Sequence, residues 1–138
     1  MSIIKEFLKG DSLLNENVTE IDFKDSKVIL QYNKMSEKKA MSKVKRYVLS
    51  KYDRICRIIS KKLKPVAQKW QDDYGIEFTM SREKFIEKLK LVMIDVKKDG
   101  TMVLVFDANN MFGDRSVELI LSKRGKLEVI DLDEPEDD

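Results

Sequence analysis

The sequence predicts an α+β fold in which a long amphipathic helix packs on a mostly antiparallel sheet. Three observations carry that prediction. Across residues 36–74, Met41, Val44, Val48, Tyr52, Ile55, Ile59, Leu63, Val66 and Trp70 follow one another at steps of three and four, the period of one helix face. Beyond residue 90 the chain changes to short β-rich runs with turn signals between them, at 91–96, 102–106, 117–121 and 127–130, which predicts a C-terminal four-strand meander. Between the first two of these runs stands Asp99-Gly100, a two-residue hairpin turn in which glycine takes a positive φ.

The elements follow in order. Ile3, Ile4, Phe7 and Leu8 predict a short N-terminal helix closed by Gly10. Residues 18–23 alternate in polarity, Asp25-Ser26 signals a turn, and 28–32 is a second strand, so the two runs form a hairpin. Ser36 is a suitable N-cap for the long helix, with Glu37 in its first turn near the positive end of the helix dipole. A helix over 36–64 would be roughly 43 Å long at 1.5 Å per residue. Pro65 should break or bend it, because proline lacks the N–H and disfavours the α conformation of the residue before it. Residues 65–74 then form a second, short helix that ends at Gly75. An extended piece is expected at 76–78. Thr79 or Ser81 caps a further short helix carrying Phe85, Ile86 and Leu89. Residues 107–115 are expected as a loop, and Lys123-Arg124-Gly125 as the last turn.

At 138 residues the chain is expected to form one α+β domain over 1–132, followed by an acidic tail at 133–138. No run approaches the ~18 apolar residues of a membrane span, and no basic stretch followed by an apolar one suggests a signal peptide. The single cysteine, Cys56, excludes an internal disulfide and fits a reducing cytoplasm. On the seam of the helix it reads as a small buried hydrophobe.

The net charge of +2 conceals a division. Residues 34–69 hold 13 Lys or Arg against Glu37 and Asp53, a balance of +11; residues 107–138 hold four bases and ten acids, a balance of −6. Lys39, Lys43, Arg46, Arg54, Arg57, Lys61 and Lys64 project onto one arc of the helix, opposite the apolar seam. Such a stripe is a solvated helix face, a track for phosphates, or a surface for an acidic partner. Stacking aromatics are missing among these positions, which weighs against single-stranded nucleic acid. The tail could itself shield the stripe.

Other constellations point away from catalysis. There is no histidine, and no cofactor motif. The loop from Asp107 to Asp114 superficially resembles a calcium loop, but it places Met111 and Phe112 where that motif needs an oxygen ligand and a glycine. Asp95, Glu118, Glu128 and Asp131 are expected as outward-facing surface charge. No metal and no cofactor are therefore expected.

The run from Lys98-Asp99-Gly100-Thr101 to Phe106-Asp107, continued by Phe112-Gly113-Asp114-Arg115-Ser116-Val117-Glu118-Leu119, resembles a family of uncharacterised small bacterial domains. Those domains pair an Asp-Gly hairpin with a Phe-x-x-His-Ser-Ile-like start of a later strand; the long helix and Thr79 to Phe85 also fit. The resemblance covers about residues 40–132. Arg115 stands where the family usually has His, and Asp114 where it usually has Gly. Members often sit beside toxin genes and look like immunity proteins. The resemblance thus implies a protein-binding function without catalysis and a toxin as partner; the charge division makes the basic helix, together with Arg115, the candidate binding residues for that toxin or another acidic surface. The alternative is a nucleic-acid-associated protein using the basic helix over 36–64.

Overall fold

The structure, a computed structural model, describes residues 17–73, 81–109 and 111–132. The expected N-terminal helix at Ile3 to Gly10, the extended piece at 76–78, the capping alternative at Thr79 and the acidic tail lie outside the described residues.

The chain runs through a hairpin of β1 (Asn17–Phe23) and β2 (Ser26–Tyr32), then α1 (Glu37–Tyr47), a 3₁₀ turn (Leu49–Lys51), α2 (Tyr52–Asp73) and α3 (Arg82–Lys88). It continues in β3 (Lys90–Val96), β4 (Met102–Asp107), β5 (Met111–Asp114), β6 (Val117–Leu121) and β7 (Leu127–Leu132). The six-stranded sheet has the order β1-β2-β3-β4-β6-β7. All neighbours are antiparallel except β2 and β3, which the helices connect as a crossover. The predicted hairpin and meander are both present. The fold class is α+β, a long helical segment against a mostly antiparallel sheet.

Alternation sends Val28, Leu30, Ile94, Val96, Met102, Leu104, Phe106, Val117, Leu119 and Leu121 into one core with Val44, Val48, Ile55, Cys56, Ile59, Leu63 and Ala67 of the helices. The helical seam is the predicted one up to Leu63. There Ala67, four residues on, takes the buried position, and Val66 is 38% exposed; the side chain of Trp70 lies outside the described residues.

The long helix is interrupted, but at a different place from the one expected. Pro65 sits inside α2, with no helix boundary at it. Proline in a helix interior costs about 3 kcal/mol. Here Ile59 and Leu63 before it and Ala67 after it are buried, and full burial of an aliphatic side chain contributes ~1.5–3 kcal/mol. The carbonyl that loses its partner belongs to Lys61, which is exposed, as is Pro65 itself, so water can take it. The actual break falls at Leu49–Lys51. There the Ser50 hydroxyl donates to Arg46 O at 2.7 Å, occupying the acceptor its own N–H would use in a continuous helix. The N–H groups of Lys51 and Tyr52 bond three residues back, to Val48 O and Leu49 O.

Ser36 caps α1, accepting from the Lys39 N–H at 3.1 Å. Ser81 caps α3 in the same way through the Lys84 N–H. Gly100 and Gly125 have φ of +93° and +84°, as the turn signals required. Gly125 also lies under Tyr47: a Cβ there would stand 2.6 Å from the Tyr47 ring, so the last turn can approach α1 only as glycine. The β1–β2 turn is less expected. Its central residues Lys24 and Asp25 both have positive φ, 50° and 62°, the geometry that favours Asn-Gly and costs an ordinary residue roughly 1–2 kcal/mol.

Two further expectations are corrected. Residues 107–115 are more than a loop: β5 lies within them, and Met111 and Phe112 are buried, Phe112 edge-on to Phe85 at 6.4 Å. Asn109 takes the left-handed conformation, its N–H donating to Asp107 Oδ1. Asp95 does point away from the helices, but it is only 5% exposed. It is flanked in register by Gln31 and Val103. Lys97 holds its Oδ2 at 2.7 Å, and its Oδ1 has no hydrogen-bond partner among the described residues.

Candidate functional site

The break at Leu49–Lys51 divides the predicted basic stripe into two concave regions, each completed by residues from the sheet. The first is a notch of about 270 Å³ lined by Met35, Lys39, Lys43, Lys98, Asp99, Gly100, Lys123 and Arg124. Three segments far apart in sequence meet here: the first turns of α1, the β3–β4 turn and the β6–β7 turn. The contact is direct, since Lys43 Nζ donates to Lys123 O at 2.9 Å. The close pass of Gly100 by Lys123, where a Cβ would stand 2.9 Å from Lys123 Cβ, holds the two turns together. Five cations line the notch against one acid, Asp99. That carboxylate is engaged by the hydroxyl and N–H of Thr101; those hydrogen bonds, more than the nearby Lys123, hold its pKa below the usual carboxylate value. The lysines thus gather without a neutralising partner in the notch, and clustered like charge of this kind favours an anion between them.

The second region is a cleft of about 410 Å³ at the helix break, lined by Phe23, Lys24, Leu49, Ser50, Lys51, Tyr52, Asp53, Arg54 and Arg57. Its wall is firmly held. The Tyr52 ring packs edge-on to Phe23 at 4.9 Å and against Phe106 at 6.1 Å. Its hydroxyl lies against Cys56 and the Leu91 backbone. Burial, followed by the Cys56 contact, raises the Tyr52 pKa. Burial likewise pushes the Cys56 thiol up to about 11, against the opposing effect of the neighbouring Tyr52 hydroxyl, which keeps this core residue in its thiol form at neutral pH. Lys24 Nζ lies 5.6 Å from the ring centroids of both Phe23 and Tyr52.

Of the residues singled out in the sequence, Lys39 and Lys43 belong to the notch, and Arg54 and Arg57 to the cleft. Arg46 lies over the Tyr47 ring at 5.2 Å, beside Lys43 at 5.4 Å. Lys61 and Lys64 continue along α2 beyond the cleft. Arg115 stands between β5 and β6, its N–H on Phe112 O, and lines neither concavity. Five cations were missed: Lys24, Lys51, Lys98, Lys123 and Arg124. Four of them sit in or beside turns that the sequence did mark, so the available signal was a cation next to each turn glycine or turn acid.

Fold and surface together define a small α+β module with two basic concavities at the ends of α1. Over residues 8–132 the chain matches the family model DUF2262, described as an uncharacterised protein conserved in bacteria, and it belongs to that family. No curated protein and no solved structure matches it. Among the described residues no helix is long and apolar enough to cross a membrane.

Proposed function

We propose that the protein is a non-enzymatic protein-binding module that receives an acidic surface of another protein in the notch between α1 and the β3–β4 and β6–β7 turns. The observation that carries this reading is the convergence of Lys39, Lys43, Lys98, Lys123 and Arg124 around a concave site with one acid. Four of the five are lysines, compact charges that attract carboxylates without imposing a fixed geometry. Such a field speeds encounter and selects partners by charge. An immunity-like setting, with a toxin as the partner, follows from the resemblance of the hairpin and of the Arg115-Ser116-Val117 segment. The lone Cys56 is in keeping with a reducing cytoplasm.

The test is capture of a partner from the native host, followed by measured association of the purified pair with Lys39→Glu and Lys123→Glu proteins. Association should be fast at low salt, slow with ionic strength, and fall at least about tenfold in rate with the two reversals. Random duplex DNA is the competing ligand. Micromolar binding near physiological salt, with a log–log salt slope of about 0.9 per contacted phosphate and loss on the same reversals, would replace the protein-partner reading.

A further inference from the structure

We infer that the cleft at the helix break is a second, separate binding site, for a small molecule carrying a multiply charged phosphate group of about the size of pyrophosphate. This is independent of the acidic partner at the notch. Lys24, Lys51, Arg54 and Arg57 line the cleft against the single acid Asp53, an excess of three positive charges that matches a diphosphate. Arg54 and Arg57 are three residues apart on α2 and therefore share a helix face; their planar guanidinium forks fit phosphate oxygens in pairs, which lysines do not. Among the described residues none of Lys51, Arg54 and Arg57 forms an ion pair. The volume, about 410 Å³, lies in the range of small-molecule sites.

The β1–β2 turn supplies an independent reason. Lys24 occupies a left-handed position, φ 50°, in a turn whose geometry asks for Asn-Gly. That conformation sets its ammonium over the Phe23 and Tyr52 rings at the mouth of the cleft. Backbone strain kept at one residue whose side chain enters a concave site is the kind of outlier from which a role can be inferred. Asp25, equally left-handed at φ 62°, does not line the cleft, and this separates strain from function in the test.

The experiment is isothermal titration of the full chain with inorganic phosphate, pyrophosphate and a nucleoside triphosphate. Pyrophosphate and the triphosphate should bind at submillimolar concentration and inorganic phosphate more weakly. An Arg54→Gln, Arg57→Gln double variant, changed at exposed positions, should lose about tenfold or more in affinity. Lys24→Gly should raise the melting temperature and weaken binding several-fold, whereas Asp25→Gly should raise the melting temperature and leave binding intact. A preference for the triphosphate over pyrophosphate would assign the source as a nucleotide. The proposal is overturned if pyrophosphate does not bind at millimolar concentration, if Lys39→Gln with Lys43→Gln in the notch lowers its affinity as much as the arginine changes do, or if duplex DNA binds at the cleft while pyrophosphate does not. Loss of partner binding on the Lys39→Glu and Lys123→Glu reversals would leave pyrophosphate affinity unchanged, so the two readings fail separately.

Discussion

The helical segment contains a proline without a break and a break without a proline. At Pro65, α2 continues although one backbone bond is missing and the proline ring crowds the preceding turn. At Leu49–Lys51 every residue can be helical, yet the α ladder slips into i→i−3 bonds. The difference lies in what surrounds each point. Pro65 faces solvent on a helix anchored by buried residues on both sides. Ser50 takes a carbonyl out of the ladder where Tyr52 is simultaneously gripped by Phe23 and Phe106. Local propensity is outvoted by the core in one case and reinforced by it in the other.

If burial carries α2 across its proline, removing a buried side chain next to it should have the largest effect. Ile59 is fully buried, and Ile59→Ala is expected to destabilise the fold by about 2–5 kcal/mol, read from urea unfolding. A cost under about 1 kcal/mol would mean that the seam does not hold the helix there. Pro65→Ala should act in the opposite sense. It restores an N–H and removes the steric clash, a gain of up to about 3 kcal/mol in helix propensity, less roughly 1 kcal/mol for the greater freedom of the unfolded chain. Net stabilisation of about 1–2 kcal/mol is expected. Destabilisation would show that the proline ring makes contacts the helix needs.

The same contrast marks what could be read in the sequence. Alternation and turn chemistry are local, and they located the hairpin, the meander, both turn glycines and the Ser36 cap, with Ser81 as one of two candidates for the second cap. The seam was legible from Met41 to Leu63 because a single 3₁₀ turn rotates the helix face too little to disturb steps of three and four. That same tolerance concealed the break: Ser50 looks ordinary unless its hydroxyl is known to reach Arg46 O. Asp95 was assigned to the correct face, but its burial depends on β2 as well as on its hairpin partner β4, and only the parallel β2–β3 pairing brings β2 beside it. Two cations of each basic concavity were legible in the helical stripe, Lys39 and Lys43 in the notch and Arg54 and Arg57 in the cleft. The rest come from the β3–β4, β6–β7 and β1–β2 turns, whose cations the sequence presents merely as polar punctuation, and from Lys51 at the break itself.

The smallest expected effect tests the break itself. In Ser50→Ala the hydroxyl no longer occupies Arg46 O, and the residue 50 N–H can take that acceptor in a regular helical turn. Alanine is also the better helix former by a few tenths of a kcal/mol, and position 50 is exposed, with little packing to lose. Stability should therefore rise by no more than about 1 kcal/mol. The sharper readout is amide hydrogen exchange over residues 49–52, which should slow as α-helical bonds replace the present i→i−3 pattern. The geometry of the cleft supplies a second readout, since Ser50 and Lys51 line it: regular helix through this point would rotate Lys51 relative to Arg54 and weaken pyrophosphate binding. Unchanged exchange would assign the break to the aromatic grip on Tyr52. In that case Phe23→Leu, which loosens the grip without touching the ladder, should be the change that lets the helix close.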